Sequence, residues 1–270
     1  MLEDNPISRP LTYPGRIPPS SGILIGPRFV PVQPVDEQGP GDWLAGPGIR
    51  PSTVAHVLEQ QRSSPMSERL PVVAVGSNAC PSQILAKFRR RSVQAVVPMT
   101  LADVTGIVPG FSAHVSVPGY IPAAPVQAPG ELSRLFVLWL DPVQLAALDA
   151  TEPNYWRRRL DDRQFPVKLA SGAHSRGRFA GAHSTGCFVY VGKHGCLLDR
   201  AGEPRRLTTQ TSLITTLLAE SPALRSMCGE TAAEFLVRAQ DPGVRNAVRL
   251  LFIKEERAGP QPGLAGLLRA

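Results

Sequence analysis

Long apolar runs are missing from this sequence of 270 residues. A membrane-spanning helix needs ~18 consecutive apolar residues, and the runs here are short segments such as 135–140 and 250–253. The first ten residues, MLEDNPISRP, are acidic and broken by proline. They lack the basic and apolar regions of a signal peptide, so a cytoplasmic location is expected. Lysine is also scarce. It supplies only four of the 29 basic residues, against 25 arginines, so the net charge of +7 reads first as coding bias and only second as phosphate contacts. The basic clusters Arg89-Arg90-Arg91, Arg157-Arg158-Arg159 and Arg205-Arg206 are short, and none is interleaved with aromatic stacking residues. Specific nucleic-acid binding is not expected. The four cysteines, Cys80, Cys187, Cys196 and Cys228, form no CxxC pair, and the five histidines do not cluster. Cys187 and Cys196 flank a Gly-Lys-His-Gly turn that could bring them face to face. Free, buried thiols are still expected, with no structural metal and no cofactor.

What is present fits a folded protein: 43% hydrophobic and 19% charged residues. Residues 1–66 hold 12 of the 28 prolines, which excludes a long helix or a central strand there. Residues 23–25 and 29–32 are strand-like, and 53–61 could form one short helix. The expected organisation is a Pro-rich extension over 1–66, one domain over 67–257 and a loose Gly/Pro-rich tail over 258–270. The extension is expected to be dispensable for folding, because its apolar content is too thin for a core of its own.

Residues 70–75 form a β-branched run that reads as a buried strand. A helix is expected over 81–90, with Ile84, Leu85 and Phe88 on one face and Lys87 and Arg89–91 at its negative pole. Further strands are expected over 95–99, 113–117 and 135–140, the last preceded by a turn at Pro129-Gly130. Asp141 and Pro142 then announce a helix as N-cap and first-turn residue, and Pro153 stops it. Strands over 155–160, 165–169 and 187–191 follow, then helices over 211–218 and 232–252, the latter interrupted at Asp241-Pro242-Gly243. Strands of modest length with few helices between them indicate an α+β fold.

Three features stand in an informative order, the second of them Gly119-Tyr120-Ile121-Pro122-Ala123-Ala124 followed by Pro129-Gly130-Glu131 and the strand over 135–140. Val75-Gly76-Ser77-Asn78 lies between a strand and a helix, where small residues let backbone N–H groups approach an anion. The same residues also suit an ordinary strand-to-helix turn. Leu148-Asp149-Ala150-Thr151-Glu152 ends the proline-stopped helix just before Tyr155 and a strand. Glu152 could face a cavity, or it could be a helix-end carboxylate paired with Arg157, Arg158 or Arg159. Cys80 follows the loop near a helix start, but a thiol hydrolase would need a histidine partner that the sequence does not place. Asp149, Asp161 and Asp162 read as solvated or Arg-paired surface.

In this order and spacing, the three features together resemble the γ-glutamylcyclotransferase superfamily. Its members share a strand ending in a Tyr/Phe-Gly-Ser-Asn loop and a downstream Leu-Asp-x-x-Glu segment followed by an aromatic residue and a strand. Val75 stands here in place of the aromatic, and Pro153 where glycine is common. The resemblance covers about half of the chain, and the extension has no counterpart in the minimal family domain. It implies a small mixed, β-barrel-like sheet flanked by helices. It also implies that Glu152 is a general acid and base, and that Val75, Gly76, Ser77, Asn78 and Tyr155 bind a small γ-glutamyl substrate. In the implied reaction the substrate's α-amine attacks its own γ-carbonyl and releases 5-oxoproline and an amine. A catalytically silent member, kept as a ligand-binding or interaction module, is the competing expectation.

Overall fold

The computed structural model describes residues 6–46, 52–170 and 186–267. In chain order the first elements are β1 (Gly22–Ile25), β2 (Arg28–Gln33), β3 (Leu44–Ala45), β4 (Ser52–Thr53), α1 (Val54–Gln60) and β5 (Leu70–Ala74). Next come α2 (Pro81–Arg89), β6 (Val96–Phe111), β7 (Ala123–Leu140), α3 (Pro142–Asp149), β8 (Tyr155–Arg159), β9 (Val167–Leu169) and β10 (Phe188–Gly192). The last are β11 (Cys196–Leu197), α4 (Gln210–Glu220), α5 (Pro222–Cys228), α6 (Ala232–Arg238), α7 (Pro242–Lys254), β12 (Ala258–Gly259) and α8 (Pro262–Ala265). Among the described residues, no helix is long and apolar enough to cross a membrane.

The fold is α+β, as expected, but its sheet is large and open where a small barrel-like one was expected. Ten strands belong to it; nine run in the order β4-β3-β2-β1-β6-β7-β5-β10-β8, and β9 pairs beside β6. The end strands β4 and β8 do not pair with each other, so the sheet does not close. Only β5 and β10 run parallel; every other pair is antiparallel. The sheet's centre is the hairpin of β6 and β7, of 16 and 18 residues. Thr105 pairs with Leu132 while Gly106 pairs with Ala128, so residues 129–131 bulge out of the ladder. Pro129-Gly130 therefore forms a bulge inside one strand rather than a turn before it.

Alternation along these strands divides the core between two faces. Val137 and Trp139 of β7 pack on one side with Ile23, Trp43, Leu58, Val73 and Val189. Phe136, Leu138 and Leu140 pack on the other with Leu24, Phe88, Val97 and Leu148. A third cluster joins Phe111 and Ile121 to α4, α5, α6 and α7 through Leu213, Phe235, Val248 and Phe252. Arg69, just before β5, is 1% exposed. Its guanidinium donates to the carbonyls of Ser64, Val96 and Trp139 and to Gln144 Oε1, tying four segments together. Burial lowers its pKa to about 10.

The segment before Ser67, expected to be dispensable for folding, pairs into this architecture. β1 pairs with β6 through Gly22–Met99 and Ile25–Val96, and β2, β3 and β4 extend the same sheet. Ile23 faces one side of the sheet and Leu24 the other, both with no exposure. Its few apolar residues are thus concentrated where they join a core built elsewhere. The expected looseness after residue 257 is corrected too: β12 pairs with β11, and Leu264 is fully buried. Residues 268–270 lie outside the described part.

Two local expectations also change. Residues 113–117 form a loop rather than a strand, because the chain turns back on itself through Ser116 N–H to Tyr120 O at 2.9 Å. A separate helix, α5, begins at Pro222 with Ser221 as its cap.

Candidate functional site

At the end of β5 the chain passes through Val75 and Gly76 into a single 3-10 turn, Ser77–Ala79, before α2 starts at Pro81. Proline suits that first helical position, since its missing donor would be unpaired anyway. The turn closes through Ala79 N–H to Gly76 O at 2.9 Å and Cys80 N–H to Ser77 O at 3.0 Å. Among the described residues, the Gly76 and Asn78 amides have no acceptor. Glycine is required at position 76 for space: a Cβ there would lie 2.6 Å from Tyr13 Oη and 2.7 Å from Ala123 Cβ.

Glu152 is delivered by α3. Asp141 and Gln144 form a capping box at its start, with Pro142 in the first turn. After the helix, Thr151 N–H donates to Leu148 O, Glu152 N–H to Asp149 O and Tyr155 N–H to Glu152 O. These tight turns carry the chain around Pro153 and into β8. The Glu152 side chain is 12% exposed, and its partner is not one of the three neighbouring arginines. Lys87 Nζ donates to Oε1 at 2.5 Å, and Asn78 Nδ2 donates to the same oxygen at 3.1 Å. Lys87 also donates to Asn78 Oδ1 at 2.7 Å, which closes a triangle. Among the described residues all of these bonds end on Oε1, and Oε2 accepts none.

Val75, Gly76, Ser77, Asn78, Glu152 and Tyr155 all line one cleft of about 360 Å³. Tyr155 lines it with a committed hydroxyl, which donates to Ala123 O at 2.8 Å. Burial, and then the nearby Tyr13 and Glu152, raise its pKa well above the ordinary phenol value, and a hydrogen bond from Ser112 opposes this. Ser112 Oγ lies 2.8 Å from His114 Nδ1. Burial, together with the charges of His194 and Arg249, pushes the His114 pKa down to about 3, so the ring is neutral.

Two lining residues, Tyr13 and Lys87, were not singled out for a site by the sequence. Tyr13 comes from the first described segment, stacks on Tyr120 at 4.2 Å between centroids, and accepts Ala123 N–H at 2.8 Å. Burial raises the Tyr120 pKa to about 12. Lys87 read only as a complement to the helix dipole. Its one available signal was rarity, as one of four lysines placed nine residues after Asn78. Asp149 pairs with Arg157 at 3.0 Å and accepts from Tyr190 at 2.7 Å, which fastens α3 to β8 and β10. Cys80 is buried with its Sγ 3.1 Å from Ser82 Oγ, and it does not line the cleft. A thiol hydrolase therefore has no nucleophile here. All four cysteines are buried and none forms a disulfide among the described residues.

No protein-family model matches this chain, and no curated protein matches its sequence. Solved structures similar to it include a gamma-glutamyl cyclotransferase, at 12% identity over 68% of this chain and 99% of that one, with a TM-score of 0.35. Another is the uncharacterized protein loc79017 from Homo sapiens, at 13% identity over 67% and 99%, with a TM-score of 0.33. A third is YkqA from Bacillus subtilis, at 10% identity over 81% of this chain and 65% of that one, with a TM-score of 0.33.

Proposed function

We propose that this protein releases 5-oxoproline from a γ-glutamyl amine or peptide, with Glu152 as general acid and base and the loop 75–78 as the substrate cradle. The observation that carries the reading is the state of the Glu152 carboxylate. It faces the loop across the cleft, with Oε1 held by Lys87 and Asn78 and Oε2 open. A proton acceptor must be fixed in direction and must keep one oxygen available, and this arrangement meets both needs.

In the proposed reaction the α-ammonium of the substrate gives a proton to Glu152 Oε2. The freed amine attacks the γ-carbonyl carbon, and the five-membered ring closes as the carbonyl electron pair moves onto oxygen. When that pair returns, the bond to the departing nitrogen breaks and Glu152 gives its proton to the leaving amine. The second proton of the ring nitrogen then passes by way of the regenerated Glu152 carboxylate to that amine, which leaves as an ammonium, while 5-oxoproline is left with a neutral ring N–H. Because the nucleophile is tethered, the protein mainly has to hold the folded conformer. The unbonded amides of Gly76 and Asn78 suit the substrate's α-carboxylate. Asn78 acts through its side chain as well, by fixing Glu152.

One observation favours the rival reading of a silent binding module. Glu152 already has a cation at 2.5 Å, the environment of a structural ion pair. A screen of γ-glutamyl dipeptides and amines for 5-oxoproline release separates the two. Release from any of them supports the enzyme; saturable binding without release supports the silent module.

A further inference from the structure

Tyr13 belongs to the Pro-rich segment, yet its ring is 5% exposed and lines the cleft. The ring is held flat against Tyr120, with 23° between the planes. Its oxygen accepts the Ala123 amide at 2.8 Å, and the Ser77 amide also favours that oxygen, more weakly. The absence of a side chain at Gly76 leaves room for this approach.

A phenol offers one donor and a limited capacity to accept. Here the Ala123 amide addresses the accepting side, while among the described residues nothing accepts the Tyr13 hydroxyl proton. Accepting bonds on a hydroxyl oxygen polarise its O–H and strengthen it as a donor.

We infer that Tyr13 donates its hydroxyl proton to a ligand carbonyl oxygen in the cleft and, in the reaction proposed above, to the γ-carbonyl oxygen as it becomes an oxyanion. The inference rests on that reaction. Negative charge grows on the oxygen as the amine nitrogen bonds to carbon, and it disappears as the leaving amine departs. Tyr13 keeps its proton throughout, because burial holds its pKa above the ordinary phenol value. A donor aimed at the oxyanion strengthens in the transition state, so it acts on kcat more than on KM.

The test compares Tyr13→Phe with the parent protein on a γ-glutamyl substrate found in the screen. Phenylalanine keeps the ring on Tyr120 and removes the hydroxyl, both as donor to the ligand and as acceptor of the Ala123 amide. The inference expects kcat to fall by about 10²-fold, with KM within a few-fold. A fall of less than about tenfold, or a change in KM alone, overturns it while leaving the reaction in place. Failure of the parent to release 5-oxoproline from any substrate removes the reaction, and the inference with it. If Tyr13→Phe does not fold, 3,5-difluorotyrosine incorporated at position 13 keeps the hydrogen bonds and lowers the hydroxyl pKa. The alkaline limb of kcat should then move to lower pH, and an unchanged profile overturns the inference.

Discussion

Lys87 Nζ lies 2.5 Å from Glu152 Oε1 and 2.7 Å from Asn78 Oδ1, so one ammonium ties α2 both to the loop 75–78 and to the turn after α3. The Lys87 and Glu152 side chains are only 15% and 12% exposed, so neither has bulk water as a full substitute for its partner.

Lys87→Met should therefore destabilise the protein and release the carboxylate from its fixed direction. Breaking a fully buried pair costs about 3–5 kcal/mol, and this pair borders an open cleft, so a loss at or below about 3 kcal/mol is expected in denaturant unfolding. Activity should fall by about tenfold or more as Glu152 loses its alignment. Unchanged stability and turnover would show that the contact is incidental.

A chain beginning at Ser67 should fail to unfold cooperatively. It would lose β1, β2, β3, β4 and α1, and with them Ile23, Leu24, Trp43 and Leu58, each at most 1% exposed. At ~1.5–3 kcal/mol for each large apolar side chain, these four approach the ~5–15 kcal/mol that holds a whole domain together. A sharp thermal transition in the truncated chain would contradict this.

His114 makes stability sensitive to acid. In the unfolded chain its imidazole takes up a proton near its ordinary value of 6.5, while in the folded protein burial delays this to about 3. Between those values the unfolded state binds more protons, so His114's contribution is present above pH 6.5 and is lost as the pH falls toward 3. His194, also lowered, acts in the same direction. His114→Gln should flatten the stability profile over that window, and a profile as steep as the parent's would exclude the mechanism.

Local signals made α3 legible: Asp141 and Pro142 open the helix and Pro153 closes it. The same local logic brought Glu152 and the loop 75–78 to one cleft, because each ends an element whose period was readable. Tyr13 had no such signal. Its contact with Ala123 spans 110 residues, and its neighbourhood is proline-broken. Trp43 was hidden in the same way, since burial there depends on strands borrowed from elsewhere in the chain. The long hairpin was hidden by its prolines. Pro109 and Pro125 stand opposite each other in the β6–β7 ladder, so both missing donors fall on one rung. Residues 113–117 alternate like a strand, yet Pro118-Gly119 and the Ser116–Tyr120 hydrogen bond turn them into a loop.

The central claim is that the open oxygen of Glu152 moves the proton, and Glu152→Gln tests it most directly. Glutamine keeps the shape and can still accept from Lys87 through its carbonyl oxygen, but it cannot take up the substrate's proton. The measurement is 5-oxoproline release from an accepted γ-glutamyl substrate, with binding of the same substrate followed by calorimetry. General acid–base catalysis contributes ~10²–10⁴-fold, so turnover should fall by at least about 10²-fold while binding persists. Turnover within a few-fold of the parent would contradict the account and take Glu152 out of the mechanism.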